Sequence, residues 1–180
     1  MRAIIVIVIS TLVLGVSARA TVIVPADLGE LARDARSIAR GRVVAVDGRW
    51  TDDRRTIETI VTLEVETYLK GSLGSTLQFR VPGGDLGRYR SIMVGAPQFV
   101  VAERVVVFLG TNGPSVPYVL GFNQGVFRVV ASAGGAPVVV PPPMLPSAVT
   151  TAVVRGDPSR RPAPLADFEA RVRTLAGGAK

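Results

Sequence analysis

"LEVETYLKGSLGSTLQFRVPGG", residues 63–84, is the stretch whose reading decides the fold. Leu63, Val65 and Leu69 alternate with Glu64 and Glu66, the two-residue period of a strand with one buried face. "KGSLGS" then supplies two glycines for a reversal, and Leu77, Phe79 and Val81 return on the inward face. Gln78 and Arg80 point outward on the returning strand, which places Arg80 opposite Glu64 or Glu66. Pro82-Gly83-Gly84 ends the strand, because proline has no N–H to donate and glycine releases the backbone. The stretch is a β-hairpin.

The alternation extends back to Thr56, with Ile57, Thr59, Val61, Leu63, Val65, Thr67 and Leu69 on one face and Glu58, Ile60, Thr62, Glu64 and Glu66 on the other. A strand of that length does not stay flat, so it is expected to bend or bulge. Before it, "RGRVVAVDGRW" (40–50) reads as a strand and "TDDRR" (51–55) as a polar turn. Further back, "DLGELARDARSIARG" (27–41) places Leu28, Leu31, Ala35 and Ile38 at helical spacing, with Asp27 as N-cap and Gly41 as terminator. Arg33, Arg36 and Arg40 fall on the opposite, solvated face of that helix.

Beyond the hairpin, residues 85–98 form a longer excursion of weak periodicity. Val105–Leu109 is a near-continuous apolar run, the mark of a central strand buried on both faces. "YVLGF" (118–122) and "VFRVVAS" (126–132) come next as strands separated by the turn "NQG". "GGAPVVVPPPMLPS" (134–147) reads as an extended strap, with Val138–Val140 pairing at an edge. "LADFEARVRTLAGG" (165–178) puts Leu165, Phe168, Val172 and Leu175 on one helical stripe. Helix, six or seven short strands, then helix predicts a mainly β fold: a small antiparallel barrel with a flanking helix at each end.

The N-terminus carries a different signal. Met1-Arg2, the apolar run Ala3–Val16 and the ending Ser17-Ala18-Arg19-Ala20 have the three regions of a cleaved secretory signal. The run is shorter than the ~20 apolar residues that a membrane span needs. The expected organisation is a signal at 1–20, a β-barrel domain at 21–140, a Pro/Arg-rich strap and linker at 141–163 and a helix at 164–180. Loss of Arg2 and Arg19 lowers the formal net charge from +7 to +5. The remaining arginines are scattered and lack interleaved aromatics, which argues against a nucleic-acid partner.

Two residue types are missing altogether. With no cysteine the exported fold rests on its core, and with no histidine the Ser-His-Asp and Cys-His arrangements and nearly all zinc sites are excluded. No cofactor or metal is expected. Glu64 and Glu66 are the one pair of carboxylates with acid–base spacing, about 6–7 Å for same-face residues two apart. A solvated strand face paired with arginine is the commoner reading. Asp52-Asp53 lacks the alternating oxygens of a calcium loop and reads as a capped turn. Arg155-Gly156-Asp157 spells a cell-adhesion tripeptide that chance explains. "PGGDLGRYR" (82–90) lacks the phosphate-loop spacing, yet joins flexible glycines to Asp85, Arg88, Tyr89 and Arg90 on a long connection, a candidate partner-binding loop.

"ARSIARGRVVAV" (35–46), "VTLEVETYLKG" (61–71) and "VVVFLG" (105–110) together resemble the netrin-like domains, whose best-known members are the tissue inhibitors of metalloproteinases. Leu69-Lys70-Gly71, Val81–Gly84, Phe108-Leu109 and Gln124–Phe127 are also similar to a pattern in bacterial secreted proteins of unassigned function. The resemblance implies a five-stranded OB-like barrel. It also brings an inhibitory mode in which a mature N-terminal cysteine chelates a protease's zinc; here the expected new N-terminus is Thr21 and there is no cysteine. The expectation is a secreted or periplasmic, monomeric, non-enzymatic module that binds a macromolecule, such as a secreted protease or an envelope component. The alternative is a metalloprotease inhibitor acting through Thr21 or the 82–98 loop.

Overall fold

The computed structural model describes residues 26–113, 115–132, 134–142 and 161–178. Thr21, the expected export signal and the tripeptide at 155–157 lie outside the described residues.

Helix α1 (Leu28–Asp34) opens with a reciprocal capping box: Asp27 Oδ1 accepts from the Glu30 N–H at 2.7 Å, and Glu30 Oε2 accepts from the Asp27 N–H at 3.0 Å. The helix is shorter than its sequence pattern. Ala35 is already extended, and the Arg36 N–H donates to the Leu109 carbonyl at 2.8 Å. Pairing with a distant strand thus takes over from the helix, and Ile38, expected on the helical stripe, belongs to β1 (Ser37–Trp50). Gly41, the expected terminator, sits buried within β1, where a Cβ would collide with the Glu64 carbonyl.

The hairpin read from residues 63–84 is present as β2 (Ile57–Lys70) and β3 (Thr76–Pro82). Then come the short β4 (Gly84–Leu86) and β5 (Tyr89–Ser91), β6 (Arg104–Gly110), β7 (Tyr118–Val119), a 3₁₀ turn (Phe122–Gly125), β8 (Val126–Ala131), β9 (Pro137–Val140), β10 (Ala163–Pro164) and α2 (Leu165–Gly177). The "YVLGF" strand therefore stops after two residues, and "NQG" lies in the 3₁₀ turn. The main sheet runs β1-β2-β3-β7-β6-β8-β9-β10, with β1 also paired to β6, while β4 and β5 form a separate ribbon. β9 lies between β8 and β10 rather than at an edge. The expectation of a purely antiparallel barrel needs correction at one seam. β3 and β7 run parallel and meet in a single residue pair, Arg80↔Tyr118, so the sheet curls round its interior without a continuous hydrogen-bonded closure.

The curl comes from bulges. Against β1, residues Leu69 and Glu66 of β2 have no register partner, nor has Val44 of β1. Each extra residue reverses the facing of the residues after it. Leu63 accordingly packs in an inner core with Val61, Leu77, Phe79 and Val81, whereas Leu69 packs in an outer core with α1. β6 serves both: Val105, Val107 and Leu109 face inward, and Val106 and Phe108 face the helices, as the unbroken apolar run requires. α2 covers the outer core with Leu165, Phe168 and Val172, and Leu175 packs beside them.

The bulge at Glu66 also decides its ion pairs. The Glu66 carboxylate takes two hydrogen bonds from Arg104, at 2.8 and 2.6 Å, and a contact from Arg40 Nε at 3.1 Å. Arg40 reaches on to Glu169 of α2 at 2.7 Å, so it is not on a solvated helix face. Glu64 pairs with Arg42 at 2.7 Å. Their partners thus come from β1 and β6; Arg80, which stands beside Ile60, is not among them.

Candidate functional site

The excursion after β3 is turned back over the sheet by two glycines in left-handed or related backbone conformations, Gly83 at φ +84° and Gly84 at φ +139°. The Gly83 N–H donates to the Ile57 carbonyl at 3.0 Å, and the Thr59 hydroxyl donates to the Gly83 carbonyl at 2.7 Å. The ribbon then lies so close to β1 that a Cβ on Gly48 would overlap the Asp85 carbonyl. A Cβ on Gly84 would likewise overlap Thr59 Oγ1, and one on Gly83 would press on the Ser91 carbonyl, so close packing demands the glycines of "VPGG" and the result is a fixed ribbon.

The ribbon brings the four described candidate residues together and gives them different parts. Asp85 and Arg90 face each other across it and form an exposed ion pair. The hydrogen bond from Arg90 holds the Asp85 carboxyl below its usual range and raises the Arg90 guanidinium. Arg90 is thus a partnered cation. Arg88 donates to the Tyr89 hydroxyl at 2.8 Å, with its guanidinium carbon 5.0 Å from the ring centroid. Tyr89 in turn meets Trp50, at the end of β1, edge to face with centroids 5.4 Å apart.

Past the ribbon the chain displays apolar side chains outward. Ile92 is 79% exposed and Val94 72%, with Met93 between them at 46%; Val100 and Val101 stand further along at 68% and 55%. The segment is braced from below. Phe99 packs edge-on against buried Phe79 with centroids 5.3 Å apart, and Arg128 Nη2 donates to the Gln98 carbonyl at 2.7 Å. Glu103 accepts from the Val100 N–H and pairs with Arg128, while Ala102 adopts φ +75° to bring its N–H to the Val43 carbonyl. Between ribbon, β1 and this segment lies an open cleft of about 560 Å³, walled by Val46, Thr59, Val81, Met93 and Phe99.

Polar and charged groups, the ordinary guides to a binding loop, do not point to this apolar surface. Its signal in the sequence is "SIMVGAPQFVVA" (91–102): apolar residues outside any strand period, where a loop is ordinarily polar. At the N-terminal end, Ala26, the first described residue, is fastened by a hydrogen bond from its N–H to the buried Gln124 side chain at 2.8 Å.

Glu66 is unsuited to proton donation near neutral pH. The Arg104 hydrogen bonds, with the charges of Arg104, Arg40 and Arg42, pull its carboxyl below the ordinary glutamate range. Among the described residues, no three His, Cys, Asp or Glu side chains converge as a metal site, and no helix is long and apolar enough to cross a membrane. No protein-family model, curated protein or solved structure matches the chain.

Proposed function

We propose that this chain is an exported, non-enzymatic interaction module, an OB-like barrel of the netrin-like kind that presents residues 84–102 to a macromolecular partner. One observation carries the reading: five apolar side chains, Ile92, Met93, Val94, Val100 and Val101, stand exposed on a loop held by the packing of Phe99 on buried Phe79 and by the Glu103–Arg128 ion pair. A braced loop loses little conformational freedom on binding, and apolar surface gains most from being covered. The circuit of β1, β2, β3, β7 and β6, with β1 beside β6, supports the OB-like part of the reading. The signal-like N-terminus supports export.

The test is capture of a partner from envelope and secreted fractions by the chain starting at Thr21, run in parallel with Ile92→Asp/Val94→Asp. The wild-type chain is expected to capture a partner that the double variant releases. Equal capture by both would overturn the assignment to this loop, and capture by neither would overturn the interaction module itself. Circular dichroism of the variant checks that its fold is intact.

A further inference from the structure

The turn that joins β1 to β2 holds a second feature, whose lining residues are distinct from the exposed apolar side chains at 92–101. Trp50, Thr51, Asp52 and Arg54 enclose an open hollow of about 510 Å³. Trp50 is 39% exposed and is braced by its edge contact with Tyr89. The turn is preorganised. Thr51 Oγ1 donates to Asp53 Oδ1 at 2.6 Å and accepts from the Thr56 N–H at 3.2 Å, while the Arg55 N–H donates to Asp53 Oδ1 at 3.1 Å. These bonds hold the Asp53 carboxyl in its ionised form. The side chains of Asp52 and Arg54 form no hydrogen bond or ion pair within the described residues.

Arg54 sits at φ +53°. That conformation favours glycine or asparagine, and a residue with a long side chain is strained there. The turn geometry alone does not require an arginine, but the hollow acquires from it a fan of five N–H donors beside the Asp52 acceptor and the Trp50 ring.

We propose that this hollow is a carbohydrate subsite, in which Trp50 stacks on the apolar face of a neutral sugar ring while Asp52 and Arg54 hydrogen-bond its hydroxyls. The chemistry discriminates among ligand classes. A polyanion meets Asp52 and ionised Asp53, and an organic cation meets Arg54. A wholly apolar ligand would cover both charges and pair neither. A neutral sugar has an apolar face for the ring and hydroxyls that both donate and accept, which suits a carboxylate next to a guanidinium.

Trp50 is the only tryptophan in the chain, so its fluorescence reports this site directly. The chain is titrated with three neutral trisaccharides, β-1,4-linked glucose, α-1,4-linked glucose and β-1,4-linked N-acetylglucosamine. A saturable change in Trp50 emission is expected with at least one of them. Asp52→Asn and Arg54→Gly should each weaken that binding about tenfold, the worth of one hydrogen bond to a charged group. Arg54→Gly should at the same time raise the melting temperature by relieving the left-handed arginine, so its weaker binding cannot come from unfolding. No saturable change with any of the three sugars, or unchanged affinity in both variants, overturns the subsite. Neither result touches capture through Ile92 and Val94, which Arg54→Gly leaves intact.

Discussion

Lys70 shows how a short motif can be structural to its last atom. Leu69, Lys70 and Gly71 look like a strand end and the turn after it, yet the first two act on the N-terminal helix and the third on the chain just past its end. Leu69 is buried against α1, and the Lys70 ammonium donates to the carbonyls of Ala32 and Arg33 at 2.9 and 2.8 Å. Gly71, at φ +64°, brings its Cα so near the Arg36 carbonyl that a Cβ would stand 2.8 Å from it. A cation on the last carbonyls of a helix satisfies groups that the helix cannot satisfy itself and opposes its dipole favourably. Lys70→Met keeps the aliphatic stem and removes the donors. It is expected to cost about 2 kcal/mol in urea denaturation, the range for hydrogen bonds to a charged group. Helical circular dichroism should fall with it. A loss below a few tenths of a kcal/mol would mean that water serves α1 equally well.

Elements whose partners lie nearby in the chain were legible in the sequence, and those with distant partners were not. β2, β3 and their turn emerged from alternation, and the double burial of β6 from an unbroken apolar run. Residues 35–41 misled, because their helical spacing of apolar residues is local whereas their pairing with Leu109–Arg104 is not. The parallel seam between β3 and β7 has no sequence signature at all. The bulges were expected in kind but not in position, and position is what sends Glu66 to Arg104 and Arg40. That network, which ties β2, β1, β6 and α2 together, carries a pH dependence of definite sign. The carboxyl of Glu66 titrates lower in the folded chain than in the unfolded one. Its contribution is therefore present above the unfolded glutamate range near pH 4.5 and fades as pH falls through the lower folded value. Glu66→Gln should lose on the order of 1 kcal/mol at pH 7, as networked ion pairs at a partly exposed site do. At pH 3 the difference from wild type should shrink. A gap that stays constant between the two pH values would assign the loss to packing instead.

On the scale of the whole molecule the two cores share β6 and stack one against the other. The outer core is covered by both helices, with Leu28, Leu31 and Ala32 from α1 and Leu165, Phe168 and Val172 from α2. Phe108, Phe127 and Phe168 form a ladder, with centroids 5.5 Å apart between the first two and 4.9 Å between the last two, that runs from the central strand through β8 to the helix. Burying Leu165, Phe168 and Val172 contributes roughly 5–8 kcal/mol by area, an upper estimate. That is comparable to the entire stability of a typical domain, which lies near 5–15 kcal/mol. α2 should therefore unfold with the sheet rather than ahead of it. Phe168→Ala tests this by opening a cavity beside Phe127, at an expected cost of about 3–4 kcal/mol. Two probes separate the outcomes. Trp50 fluorescence reports the end of β1, and far-ultraviolet circular dichroism reports chiefly the helices. If the cores are coupled, both traces move to lower urea together and remain superimposed. If α2 is an appendage, the helical signal melts early while Trp50 holds its wild-type midpoint, and the outer core then stabilises only itself.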